Sequence, residues 1–220
     1  PYIVGGHTAS GYWVDTKRRT TVKGLYAAGD VAGGCPQKYV TGALAEGEIA
    51  ALTAISELGK ISAIDESDIE RLISEVTDFL YGNTDGTFTT EQLEEAMQTV
   101  MDSYAGGIKT NYRFNEKQLD IADYKIKQLM SLVSTLYAED FQELMYIYEL
   151  KERLTVCRSV IAHLKARKET RWHSFAENLD YPNKDEKNFN KYVNSRLENG
   201  EIKIIIRDLV QGGKEYEHIN

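Results

Sequence analysis

The sequence predicts an α+β chain, on three observations. Ten of the 17 glycines fall within residues 1–60, set between short β-like runs. Residues 65–168 carry four apolar stripes at helical spacing. A late run, Glu201-Ile202-Lys203-Ile204-Ile205-Ile206-Arg207, reads as one β-strand. The expected order is a glycine-rich segment over 1–60, a mainly α-helical bundle domain over 61–172, and an irregular extension over 173–220 with that strand.

In the first segment, Tyr12-Trp13-Val14 and Gly24-Leu25-Tyr26-Ala27-Ala28 read as short strands. Lys17-Arg18-Arg19-Thr20 reads as a polar loop between them. From Gly42 to about Leu58 the pattern turns helical, with Leu44, Ala45, Ile49, Leu52 and Ile55 on the apolar positions.

Four helices follow. The first stripe is Ile69, Leu72, Ile73, Val76 and Leu80. The second is Leu93, Met97, Val100 and Tyr104. The third is Leu119, Ala122, Ile126, Leu129, Val133 and Leu136. The fourth is Ile147, Leu150, Leu154, Cys157, Ile161 and Leu164. Stripes of this kind bury against one another, which predicts a small bundle. Thr89-Thr90-Glu91-Gln92 fits a capping box at the second start, and Gly106-Gly107 ends that helix. Residues 170–199 read as polar and irregular, and the residues from Gly212 onward as a frayed tail.

Composition removes several function classes. Lys and Arg number 26 against 34 Asp and Glu, a net charge of -8, so nucleic acid is not an expected partner. No apolar run approaches the roughly 20 residues that span a bilayer, so direct membrane insertion is not expected. The two cysteines, Cys35 and Cys157, make neither a disulfide framework nor a tetrahedral metal site. With no leader-like start, a cytoplasmic location is expected. Asn83-Thr84-Asp85-Gly86-Thr87-Phe88 imitates a calcium loop, but Tyr81 and Gln92 stand where its end carboxylates belong. His163, His173 and His218 have no metal-ligand spacing, so no metal is expected. Cys35 reads as a packing thiol, and Lys165, Arg167, Lys168 and Arg171 as a solvated helix end.

The chemistry-bearing stretch is Thr20-Thr21-Val22-Lys23-Gly24-Leu25-Tyr26-Ala27-Ala28-Gly29-Asp30, followed by Val31-Ala32-Gly33-Gly34. A buried strand ending at Gly29 lets backbone approach a ligand closely. Asp30 offers a carboxylate to ligand hydroxyls. The helix that starts near Gly42 presents free N–H groups and a positive dipole end to negative charge.

This stretch resembles the second FAD-binding motif of flavoproteins with two-part dinucleotide domains. Three further matches narrow the family. Gly5-Gly6-His7-Thr8-Ala9-Ser10-Gly11 resembles the Gly-Gly-His region of the fumarate reductase and succinate dehydrogenase flavoproteins. Ala166-Arg167-Lys168-Glu169-Thr170-Arg171-Trp172 resembles their Arg-x-Glu-Ser/Thr-Arg signature. Asp180-Tyr181-Pro182-Asn183-Lys184-Asp185-Glu186-Lys187-Asn188-Phe189 resembles the stretch after it. Glu169 and Arg171 are read as structural, a surface ion pair near a helix end.

The resemblance implies that 1–60 is the C-terminal segment of an FAD-binding α/β domain, followed by that superfamily's helical bundle. It implies FAD contacts at Gly29, Asp30, Thr41, Gly42, Ala43 and Leu44. It also implies His7 and Lys38 as catalytic groups facing a small anionic substrate, and an iron–sulfur electron-transfer subunit as partner. The fumarate reductases carry an arginine after the Gly-Asp/Glu pair that grips a dicarboxylate. Residues 35–47 contain none, and Lys38 lacks the planar fork a bidentate clamp needs. The short loop is more similar to the flavoprotein (alpha) subunits of adenylylsulfate reductases, which implies reduction of adenylyl sulfate to sulfite and AMP. Fumarate reduction is the alternative, and a non-catalytic helical docking module for an iron–sulfur partner is the second.

The chain opens at Pro1, and no Gly-x-Gly-x-x-Gly stands anywhere in it. A C-terminal fragment of a larger flavoprotein is therefore expected, one that alone holds FAD poorly or not at all and is inactive.

Overall fold

A computed structural model describes residues 10–34, 39–59, 65–81, 88–171 and 176–209. His7, Cys35, Lys38, the imitation calcium loop up to Thr87, Trp172, His173 and the tail from Gly212 lie outside the described residues. The fold is α+β and mainly helical, in two compact units. One is drawn from residues up to Ile64 and the other is Asp65–Leu209.

In the first unit the expected strands shrink to two isolated bridges. Tyr12 pairs with Ala32 in parallel, and Arg19 pairs with Tyr26 antiparallel. A strand needs a ladder of partners, and among the described residues each run finds only one. Asp15 closes the turn between them. Its carboxylate accepts from Lys17 N at 2.9 Å, Arg19 N at 3.0 Å and Arg19 Nε at 2.7 Å. Burial pushes the Asp15 carboxyl up, but the Arg19 and Lys17 hydrogen bonds outweigh it and hold it below its ordinary range. A short 3₁₀ turn at Gly29–Val31 then leads toward helix α1, Val40–Ser56. At its far end Glu57 accepts from Tyr26 Oη at 2.6 Å and meets Arg19 Nη1 at 3.4 Å.

The second unit is built on α3 (Thr90–Tyr104), α4 (Glu116–Leu132) and α5 (Phe141–Ala166), which pack on one another. Their expected stripes form the core. Leu119, Ala122, Ile126, Ile147, Leu150 and Leu154 are fully buried, and Leu93, Met97, Val100 and Ile161 nearly so. Each start is closed by a side chain. Thr89 and Gln92 form the expected capping box, Asn115 and Gln118 form a second, and Asp140 accepts from Gln142 N and Glu143 N. Thr89→Ala is expected to destabilise this unit by about 1 kcal/mol. The check is a thermal melt falling by roughly 2–4 °C.

After α3 the chain turns sharply. Gly106 adopts φ +77°, and a Cβ on Gly107 would lie 2.3 Å from Asp102 Cα, so only glycine fits. Helix α2 (Glu66–Tyr81) departs from its expected stripe. Ile69, Leu72 and Ile73 are exposed, and burial shifts to Phe79 with partial cover of Val76 and Leu80. The reason is where α2 is fastened. Phe79 meets Tyr148 edge-on at 5.9 Å, Phe79 O accepts from Ala138 N, and Glu75 pairs with Lys151 of α5. All three ties lie in its second half.

Residues 170–199 are less irregular than expected. Strand β1 (Arg113–Phe114) pairs in parallel with β2 (Glu177–Asn178), and a short α6 spans Glu186–Phe189. Strand β3 (Lys191–Glu198) pairs antiparallel with the expected late strand, β4 (Glu201–Asp208). The missed signal is Asn199-Gly200, whose φ values of +50° and +79° suit a two-residue hairpin turn. Arg158 of α5 is buried under that turn, donating to Gly200 O at 2.7 Å and Glu201 at 2.8 Å.

Candidate functional site

The candidate site lies in the first unit, where the Gly-Asp turn meets the start of α1. Gly29 is buried and adopts φ +72°, a conformation that side chains disfavour. A Cβ placed on it would lie 3.1 Å from Ala43 Cβ. Gly29 and Ala43, expected to share a ligand, are thus brought into contact. Asp30 is exposed beside them, as are Thr41 and Leu44, while Gly42 is partly covered. His7 and Lys38 lie outside the described residues.

The N-terminus of α1 is suited to an anion. Tyr39 occupies the cap position in extended conformation and supplies no side-chain cap, and the first turn holds no acidic residue. Its leading N–H groups and the dipole therefore favour negative charge.

Three residues to which the sequence assigns no individual role support the site. Gly11 approaches the loop after Asp30 so closely that a Cβ would lie 2.6 Å from Ala32 C, Gly33 N and Val31 O. The bonds Tyr12 N to Val31 O at 2.7 Å and Gly33 N to Tyr12 O at 2.8 Å fix that approach. Glu46, in the second turn of α1, is 4% exposed and accepts from Gly29 N at 3.0 Å. Arg18, read as a loop residue, sits in the left-handed region at φ +63° with Nη2 3.4 Å from Glu46 Oε1. Spacing carries no signal for contacts between such distant residues.

The Arg-x-Glu-Thr-Arg signature is a structural knot in the second unit. Glu169 is buried rather than at the surface. It accepts from Arg167 Nη1 at 2.7 Å, Arg171 Nε at 2.8 Å and Asp185 N at 2.8 Å. Burial raises the Glu169 carboxyl, and the hydrogen bonds from Arg171, Asp185 N and Arg167 overcome it and hold it below its ordinary value. Arg167 continues to Phe189 O and Lys191 O, which ties α5 to the start of β3. Thr170 Oγ1 accepts from Asn178 N at 2.9 Å and donates to Tyr181 O at 2.9 Å. No group of three His, Cys, Asp or Glu is placed to hold a metal, and no helix is long and apolar enough to cross a membrane, among the described residues.

The chain is 26% identical to the adenylylsulfate reductase alpha subunit of Megalodesulfovibrio gigas, over 90% of its own length and 35% of the relative's. Its fold is similar to the adenylylsulfate reductase structure from Archaeoglobus fulgidus, with a TM-score of 0.82 and 30% identity. That match covers 91% of this chain and 34% of the other. A quinol fumarate reductase from E. coli shares the fold at a TM-score of 0.77 and 18% identity, covering 96% of this chain and 38% of the other. The chain thus spans about a third of the length of these relatives. Residues 94–214 match the family described as fumarate reductase flavoprotein C-term, more than half of the 220 residues. The chain belongs to the fumarate reductase flavoprotein C-terminal family.

Proposed function

We propose that this chain forms part of the FAD site of a flavoprotein oxidoreductase that reduces adenylyl sulfate to sulfite and AMP. The observation that carries the reading is the contact of the Gly29 turn with Ala43 at the start of α1, whose first turn holds no acidic residue. The residues fit the cofactor: the Gly29 turn packs on Ala43 at the head of α1, Asp30 offers an exposed carboxylate, and α1 offers the N–H groups and dipole of its first turn.

FAD, when bound, supplies the two-electron chemistry. The chain's own residues bind and orient. Asp30 accepts hydrogen bonds from cofactor hydroxyls. The backbone of Thr41, Gly42, Ala43 and Leu44 stabilises negative charge at the start of α1. His7 and Lys38 face the anionic substrate, Lys38 as a point charge and His7 as a group able to move a proton near neutral pH. The Gly-x-Gly-x-x-Gly cradle is absent from these 220 residues, so FAD retention belongs to the whole polypeptide. Electrons arrive from an iron–sulfur subunit, and the complex works in the cytoplasm.

The substrate class rests on two observations. Identity is 26–30% toward adenylylsulfate reductases against 18% toward the fumarate reductase. Residues 35–47 also hold no arginine for a dicarboxylate. The test uses protein from the whole reading frame, its flavin reduced without oxygen and its reoxidation followed by absorbance. Reoxidation by adenylyl sulfate and not by fumarate is the expected result. Reoxidation by fumarate alone overturns the substrate assignment. A colourless protein that ignores added FAD favours the docking module.

A further inference from the structure

We infer that Glu46 is the positioning residue of the proposed flavin site, with Arg18 as its counter-charge. The inference rests on the flavin reading above and extends it to two residues outside the recognised motif. Glu46 projects from the second turn of α1 and is 4% exposed. Its Oε2 accepts from Gly29 N at 3.0 Å, across 17 positions of chain. Its Oε1 accepts no hydrogen bond among the described residues and lies 3.4 Å from Arg18 Nη2.

A buried carboxylate is costly unless it is paired and hydrogen-bonded. Here it ties three segments of the unit together: the turn at residues 15–19, the Gly-Asp turn and α1. Arg18 reaches it from a left-handed conformation that a non-glycine side chain seldom adopts. Gly29 N, once bonded to Glu46, is fixed at the point where its missing side chain admits Ala43. The Gly29–Asp30 turn and the first turn of α1 are then held in one frame. The same carboxylate places a buried negative charge beside the proposed flavin contacts. A charge so placed disfavours the electron-rich reduced cofactor.

The test compares E46A, E46Q and wild type, each expressed from the whole reading frame. FAD dissociation constants and flavin midpoint potentials are measured. E46A is expected to weaken FAD binding about tenfold or more, as loss of a charged hydrogen bond predicts. E46Q keeps an oxygen for Gly29 N, so its affinity is expected within about threefold of wild type. Having lost the charge, E46Q is expected to show a higher midpoint potential, which a merely structural residue would not alter. E46A that binds FAD as wild type does, or E46Q with an unshifted potential, overturns the inference and leaves the flavin reading standing. Wild-type protein that binds no FAD overturns the flavin reading and the inference with it. If E46A does not fold, E46Q decides alone.

Discussion

Glu169→Gln is expected to lower the unfolding free energy of the Asp65–Leu209 unit by about 3–5 kcal/mol. The substitution keeps the shape and removes the charge that holds Arg167, Arg171 and Asp185 N together. Breaking a buried pair from one side leaves the other charge uncompensated. Arg167 and Arg171 keep 29% and 18% of their side-chain exposure, so water screens part of the loss and the lower end of the range is expected. Urea unfolding measures it. A change under about 1 kcal/mol would reduce the knot to an ordinary surface pair.

The same residue gives a pH signature. Its folded carboxyl is held below the ordinary value of 4.5, so its contribution is fully present above that value. The contribution is lost as pH falls below it, toward the lower folded value. Wild type should therefore lose stability in mild acid faster than E169Q. Asp185 and Glu186 are also held low, by Asn188 and Lys184 respectively, and they titrate in both proteins. Glu186 also meets Arg171 at 3.4 Å, so the difference between the two curves reports Glu169 together with its coupling to Glu186 through that arginine.

Gly11→Ala is expected to cost on the order of 3 kcal/mol locally and to weaken FAD binding about a hundredfold. Three backbone atoms of residues 31–33 stand 2.6 Å from where the new methyl would go, and backbone cannot swing aside as a flexible side chain can. The segment after Asp30 must move, which opens the Tyr12–Val31 and Gly33–Tyr12 hydrogen bonds. Hydrogen exchange reads this directly, as lost protection at the Tyr12 and Gly33 amides. Intact protection with unchanged FAD affinity would show that the two segments do not pack this closely.

Much of the second unit was legible in the sequence, for a local reason. The stripes of α3, α4 and α5 repeat every three or four residues, and that period is a property of the helix itself. The Thr89 capping box lies within four consecutive residues. Asn199-Gly200 is equally local, a two-residue turn signal that places β3 ahead of β4. For α2 the period was present, but a period does not say whether a face will be covered. Ile69, Leu72 and Ile73 repeat correctly and stay exposed, because the ties to α5 lie farther along the helix.

Residue type and spacing along the chain set helices α1 to α5, the Thr89 capping box and the family resemblance carried by short motifs. These depend on neighbours within a turn or two of chain, where residue type and spacing decide geometry. Packing alone brings Glu46 to Gly29, Arg18 to Glu46, Gly11 onto residues 31–33 and two arginines around Glu169. Except at the Glu169 knot, those contacts join residues 17 or more positions apart. Their distances are set by how the segments pack, and burial then turns an ordinary glutamate into a buried charge that demands partners.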